Sequence, residues 1–407
     1  MAEKIQKPKG TQDLLPEATI AWQHVETTAR QLFASWGYGE IRTPIFEDTA
    51  LFLRGVGETT DIVHKEMYRF EKSERDLCLR PEGTAGVVRA FMEAGLSRAS
   101  KPVKLWYTGP MFRYERPQAG RYRQFHQLGV EVFGLATPET DVEVIALAWQ
   151  LLESLGLKGL TLHLNDIGTA SDRTAFRAKL QEHLRPLLPQ LCKTCQHRFD
   201  ENPFRMLDCK VPACQAAYES VYIDDFLKTP WTGIDSQAAF TRITTLLSAL
   251  NIPWVQNHKL VRGLDYYTHT VFEITANTDG VDGMGTINTV CGGGRYNGLV
   301  ETLGGEPTPG VGWALGLERL IALLPKHEDS SPLMVVLPSG NDGSSPQDWA
   351  SAYQQAKTLR QQHPTATILL DTSNRAFKKQ MEAADKRGAS SVWFQRDGEW
   401  QQKLLGR

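Results

Sequence analysis

The stretch FRYERPQAGRYRQFHQLGVEVFG, residues 112–134, carries the densest chemistry in the chain. It reads as a long antiparallel hairpin, with strands from Lys104 to Glu115 and from Gln124 to Phe133 joined by the polar stretch Arg116 to Arg123. Strand alternation then puts Arg113 and Glu115 on one face, and Gln127, Gly129 and Glu131 on one face of the next strand. A guanidinium can clamp phosphate or carboxylate through paired hydrogen bonds, and an acid can hold a cation or a donor. Gly129 is expected to leave the space a ligand would fill. The connecting loop, with Arg116, Gln118, Arg121 and Arg123, has the composition of a phosphate or nucleic-acid contact. The plain alternative is an exposed hairpin with solvated charges.

Two further stretches offer polar groups. In LRPEGTAG, Glu82 sits between a proline and Gly83, a rigid turn able to hold a carboxylate at a pocket wall. In LVRGLDYYTHTVFEI, Arg262 and Asp265 precede Tyr266 and Tyr267, whose hydroxyls need partners if buried. On local pattern alone these are also an ordinary turn and an ordinary strand entry. Cys192, Cys195, Cys209 and Cys214 form C-x2-C-x13-C-x4-C, compatible with a closed tetrahedral zinc site, with His197 a spare ligand. Buried free thiols serving as small apolar residues fit the same spacing. No glycine-rich stretch matches G-x-G-x-x-G before a helix or G-x-x-x-x-G-K-[ST], so Rossmann and P-loop nucleotide binding lose support.

The elements that must position these groups follow from periodicity and punctuation. A helix is predicted from Glu17 to Trp36, where Val25, Ala29, Leu32, Phe33 and Trp36 recur at helical spacing. Another runs from Pro138 to Leu155, with Thr137 as N-cap, Glu139 and Asp141 in the first turn and Gly156 as the stop. His269 to Thr275 reads as a strand, and Gly292 to Gly294 as a turn. The result is an antiparallel sheet with flanking helices to about residue 325, interrupted by a helical, cysteine-bearing insertion at about 167–235. After a polar linker, strand and helix alternate through residues 332–407 as in a parallel α/β domain.

With 407 residues, 41% hydrophobic and 23% charged, disorder and a membrane-embedded body are both excluded. No apolar run approaches the roughly 18 residues of a spanning helix. The opening MAEKIQKPKG lacks the apolar core of a secretory signal, so a cytoplasmic protein is expected. The net charge of −2 argues against a general polycation, but residues 331–407 hold ten basic and seven acidic side chains, a locally basic region that could face nucleic acid.

Taken together, KGTQDLLP, GYGEIRTPIFEDTALFLRGVGETTDIVHKEMYRF, LRPEGTAG, the whole hairpin, LVRGLDYY and VGWALGLERL resemble the histidyl-tRNA synthetases, class II aminoacyl-tRNA synthetases, in order over nearly the whole chain. The resemblance implies an α+β fold: a class II antiparallel-sheet catalytic domain of six strands at 1–325, with the helical insertion, and a C-terminal α/β anticodon-binding domain at 332–407. That last domain is expected to be shortened, because the family continues past SVWFQRDGEW through another strand and a closing helix.

The resemblance further implies a homodimer that activates L-histidine with ATP and Mg2+ and transfers the histidyl group to the 3′ end of tRNA(His). Arg113 and Arg262 would be catalytic, holding the α-phosphate and stabilising its charge; Arg319 and Phe125 would sandwich the adenine, and Glu115 and Arg121 complete the ATP surface. Histidine would meet Glu82, Gly83, Thr84, Arg113, Gln127, Glu131, Arg262, Tyr266, Tyr267 and Tyr296, and tRNA would meet Arg116, Gln118 and Arg123. Asn297 departs from the family's usual aspartate and is expected to alter the histidine pocket or a tRNA contact. The competing readings are a histidine-sensing regulatory subunit of ATP phosphoribosyltransferase, against which Arg113, Arg262 and Arg319 all speak, and an adenylating enzyme with another acceptor.

Overall fold

The computed structural model describes residues 4–58, 60–117, 120–207, 209–277, 289–325, 331–338 and 345–405; Gln118 lies outside them. Two compact units emerge, Met1–His327 and Glu328–Arg407.

The first unit is built on an eight-stranded sheet in the order Gly39–Glu40, Val103–Phe112, Gln124–Phe133, Gly310–Gly316, Thr289–Arg295, Thr268–Thr275, Thr161–Asp166, Trp254–Gln256. The inner six strands are mutually antiparallel, as expected, and a short parallel strand closes each edge. One face of the sheet is apolar. Trp106, Leu128, Val130, Val132 and Trp313 pack there against Val25, Ala29 and Phe33 of the Pro16–Ser35 helix and Val144, Ile145 and Leu151 of the Pro138–Ser154 helix. Truncating a side chain as large and buried as Phe33 or Trp313 to alanine costs ~3–5 kcal/mol. Alternation therefore commits every second residue of these strands to the core and leaves the others for a site.

Two local expectations are corrected. The first hairpin strand ends at Phe112, so Arg113 and Glu115 lie beyond the ladder and alternation does not orient them. Gly292 to Gly294 lie inside a central strand, not in a turn, because the sheet leaves no room there for a side chain: a Cβ on Gly293 would strike the Gly312 carbonyl and Trp313. Thr137 stands at the N-cap as expected, though it makes no cap bond to the helix backbone; its hydroxyl pairs with Thr140 at 2.9 Å. Asp141 in that first turn points inward instead and meets Arg295 at 2.5 Å, both side chains buried. Burial pushes the Asp141 carboxyl up against the opposing pull of Arg295. Asn297 accepts a hydrogen bond from the same guanidinium at 3.1 Å.

Helices from Ala170–Leu184 through Ile223–Lys228 share a separate core of Phe176, Leu180, Leu184, Phe199, Met206 and Leu227. Thr169 and Asp172 open it with a reciprocal capping box. Arg198 and Arg205 from this region both donate to Asp61, at 2.9 and 3.0 Å, beside the Ile62–Glu66 turn. A small sheet, Phe46–Asp48, Arg75–Leu79, Arg69–Lys72, stands apart from the large one.

The second unit is a four-stranded sheet ordered Thr367–Leu370, Leu333–Val336, Ser391–Arg396, Glu399–Leu404, parallel except for the last pair. Val335 packs with the Phe377–Lys386 helix and Val336 with the Pro346–Gln362 helix, one helix to each face. Glu399–Leu404, which begins within SVWFQRDGEW, pairs antiparallel along the whole of Ser391–Arg396.

Candidate active site

On the face of the large sheet opposite the main core, paired residues line up in rows across five strands. Tyr107, Gly129, Ala314, Gly292 and Glu273 form one row; Leu105, Glu131, Gly312, Gly294 and Val271 form the next. The glycines are covered by polar side chains lying flat on the sheet. A Cβ on Gly129 would meet the Tyr107 phenol at 2.5 Å, and one on Gly83 would strike the same ring. Cβ atoms on Gly292, Gly312 and Gly310 would strike the Arg262 guanidinium, the Glu131 carboxylate and the Tyr296 ring, and one on Gly294 would meet Tyr267 at 2.9 Å. The room expected over Gly129 is thus taken by Tyr107, directly opposite it in the ladder. Gly316, opposite Gln127, has no described atom within 4 Å of its Cβ position.

The buried carboxylates follow from this packing. Glu82 caps the Thr84–Glu93 helix, accepting from the backbone N–H of Thr84 at 2.8 Å and of Ala85 at 2.7 Å. Burial raises its pKa, and those two N–H groups oppose the rise. Glu131 accepts from the Thr84 hydroxyl at 2.7 Å, the Tyr296 phenol at 2.5 Å and the Tyr107 phenol at 3.4 Å. Burial pushes its carboxyl up to about 8, although the Tyr296 and Thr84 hydroxyls favour the ionised form. Four residues back along the same strand and on the same face, the buried side-chain oxygen of Gln127 has no hydrogen-bond partner among the described residues. Tyr266 and Tyr267 lie with ring centroids 4.6 Å apart, and Tyr266 lies 5.7 Å from Tyr296.

Around this pocket stand the arginines. Arg262 is paired with Glu273, while its buried Nε has no partner among the described residues. Arg113 donates from Nε to the Pro81 carbonyl at 2.8 Å, and its guanidinium lies 5.3 Å from the Phe125 ring centre and 3.9 Å from Glu115. Arg121 meets Glu115 at 3.3 Å. Arg319 donates to the Thr289 carbonyl at 2.8 Å. Glu318 fixes the helix that carries it, accepting from the His126 backbone N–H at 2.9 Å and pairing with the His126 ring at 2.9 Å. Burial and the charge of Glu115 raise the pKa of Glu66, while Arg113 pulls it down.

The sequence-predicted arginines, carboxylates and tyrosines therefore converge on one sheet face. The loop arginines separate: Arg116 is exposed, whereas Arg123 donates to the Glu115 carbonyl at 3.2 Å and stacks 3.8 Å over Tyr114. Tyr107, Glu273, Glu66 and Glu318 were missed. Strand parity could have found Tyr107; Glu273, Glu66 and Glu318 all lie within quoted motifs, but nothing in their local pattern singled them out. The four sulfur atoms of Cys192, Cys195, Cys209 and Cys214 all lie within 4.8 Å of one another in the insertion, whereas exposed His197 pairs with Glu201 at 3.3 Å.

An antiparallel sheet backed by helices on one face and carrying this constellation on the other defines a class II aminoacyl-tRNA synthetase. The family model for histidyl-tRNA synthetase matches residues 10–320. A histidine–tRNA ligase from Thermosynechococcus vestitus is 50% identical over 95% of this chain and 87% of its own length; one from Desulfitobacterium hafniense is 48% identical over 94% and 88%. The crystal structure of apo histidyl-tRNA synthetase from S. aureus superposes with a TM-score of 0.75 at 35% identity, covering 98% of this chain and 97% of that one. The chain belongs to the histidyl-tRNA synthetase family, and its function is the ligation of histidine to tRNA. The fold alone would not have decided this. A protein from Bacillus halodurans C, described as an ATP phosphoribosyltransferase regulatory subunit/histidyl-tRNA synthetase, shares it with a TM-score of 0.68 at 23% identity, over 97% of this chain and 99% of that one. The identity of about half the residues to ligases over nearly the whole chain disfavours the regulatory reading.

Proposed function

We propose that Glu131 reads the imidazole of histidine and that Arg113 and Arg262 carry the adenylation step. The observation behind this is Glu131: as a carboxylate its two oxygens have roughly four acceptor positions, three of them filled by fixed hydroxyls, and an imidazole N–H arriving at the fourth would favour that ionised form over the protonated one that burial favours. One acceptor position remains, preorganised, for an imidazole N–H. A tyrosine hydroxyl from Tyr266 or Tyr267 serves the second nitrogen, Tyr296 holds Glu131 in place, and the Gln127 oxygen, without a partner among the described residues, takes the substrate ammonium. Glu82, Gly83 and Thr84 form the adjoining wall, where Glu82 holds the turn through its cap.

ATP lies along Arg113, Glu115, Arg121, Phe125 and Arg319, its α-phosphate between Arg113 and Arg262. Adenylation makes negative charge on that phosphate as the histidine carboxylate attacks and pyrophosphate leaves, and a fixed guanidinium with an unpaired N–H stabilises it without reorganising. Glu66 and Glu115, whose charges already oppose each other, are hard oxygen donors of the kind that suit Mg2+, which offsets phosphate charge when bound. Arg116 and Arg123 line the approach of the tRNA 3′ end, and the 332–407 domain contacts the anticodon. The reaction belongs to the cytoplasm.

The partner is a second copy. On the small sheet, Phe46 pairs with Leu79 and Phe70 with Leu77, which puts all four on one face. Phe46 and Phe70 are 55% and 42% exposed, an apolar surface of the kind oligomers cover.

Histidine-dependent exchange of pyrophosphate into ATP tests the pocket. Glu131→Gln should raise KM for histidine at least about tenfold and leave KM for ATP within about twofold. An unchanged histidine KM would remove Glu131 from the pocket.

A further inference from the structure

We propose that Cys192, Cys195, Cys209 and Cys214 form a structural Zn2+ site that holds the helical insertion together. The spacing alone left zinc and filler thiols open; the tertiary arrangement separates them. Cys192 and Cys195 flank the start of the Lys193–Glu201 helix, while Cys209 precedes and Cys214 lies in the first turn of the Pro212–Ser220 helix. Two helix starts from separate parts of the chain thus bring two sulfurs each to one point. All four Sγ atoms fall within 4.8 Å of one another, and Cys192 and Cys209 are 4.0 Å apart. A tetrahedron of zinc–sulfur bonds of about 2.3 Å has edges of roughly 3.8 Å, so the set needs only a small contraction to close on a metal. Apolar filler has no reason to converge in this way. Partly exposed Cys192 in particular need not join its three buried neighbours.

The surroundings suit thiolates. The Cys192 backbone N–H donates to the Cys214 sulfur at 3.2 Å, and the Tyr218 hydroxyl donates to the Cys195 sulfur at 3.5 Å. Such outer contacts orient ligands and spread their charge. Exposed Lys193 neighbours Cys192 along the chain, adding positive charge beside a tetrathiolate centre of net −2. The site also anchors function. Arg198 lies in the helix that begins at the cluster, Arg205 lies in the turn that follows it, and both hold Asp61 next to the Ile62–Glu66 turn. Closing the cluster would fix that attachment of the insertion to the body of the first unit.

The test uses the full chain without a polyhistidine tag, purified under reducing conditions without chelator. About one zinc per chain should survive dialysis, and titrating the native protein with a mercurial should release it as four thiols react. Replacing it with Co2+ should give the thiolate-to-metal charge transfer and intense visible bands of a tetrahedral sulfur site. Cys195→Ser/Cys214→Ser should lose the metal and make the insertion more sensitive to protease. Four freely reactive thiols in a metal-free preparation, two disulfides in freshly reduced protein, or zinc retained in full by a folded double variant would each overturn the site. The mercurial titration decides the matter even if the variant fails to fold.

Discussion

Glu131 shows how burial sets both chemistry and pH response. Its folded pKa of about 8 lies above the ordinary 4.5, so folding takes up a proton at this site. The stability this contributes is fully present below the unfolded value and is lost as pH rises through the folded one. Between about pH 5 and pH 8.5 the unfolding temperature of the wild type should therefore fall relative to that of Glu131→Gln by a few degrees, read by scanning calorimetry. Parallel curves for the two proteins would contradict the raised pKa. Arg262 gives the catalytic counterpart. Arg262→Ala should reduce pyrophosphate exchange by at least about two orders of magnitude, because preorganised charge at the phosphate is removed. Arg262→Lys keeps the charge but not the fork, so partial recovery would assign the effect to charge and no recovery to geometry. Near-normal exchange in Arg262→Ala would end the assignment.

At the level of elements, the glycines of the central strands are the positions where the fold and the site constrain each other. Gly312 lies between Glu131 and Gly294 in the ladder, and a side chain there would run into the Glu131 carboxylate and the Val130 carbonyl. Gly312→Ala should destabilise the protein by about 1–3 kcal/mol, since the obstacle includes backbone that cannot swing aside. Gly316→Ala, at the end of the same strand, meets no described atom within 4 Å and should change stability by less than about 0.5 kcal/mol. Denaturant titration of the two variants measures the contrast, and equal effects would refute this account of the strand. The Pro138–Ser154 helix teaches a related lesson: its first-turn Asp141 looks like a charge placed for the helix dipole, yet it is buried on Arg295.

For the whole molecule, the proposed dimer rests on the exposed apolar face of the small sheet. Phe46→Asp should convert a dimer to monomer in sedimentation velocity and depress exchange activity with it; an unchanged sedimentation coefficient would place the interface elsewhere. Much of this architecture was legible beforehand. Alternation in Gln124–Phe133, helical spacing in Pro16–Ser35 and the strand–helix alternation after residue 332 are local signals, and they locate those elements to within a residue or two. The chemical types of the site were legible too, because Arg113, Glu131, Arg262 and the tyrosines stand in distinctive motifs. Proximity was not. Whether Gly129 faces a ligand or Tyr107, whether three glycines make a turn or a strand floor, and whether four cysteines meet are decided by pairs far apart in sequence. The amino-acid order by itself determined the segments, their faces and the reactive groups they carry, since those depend on neighbours along the chain. Only the tertiary structure decided which groups touch, because the sheet register and the packing of helices against it set distances that no local pattern encodes.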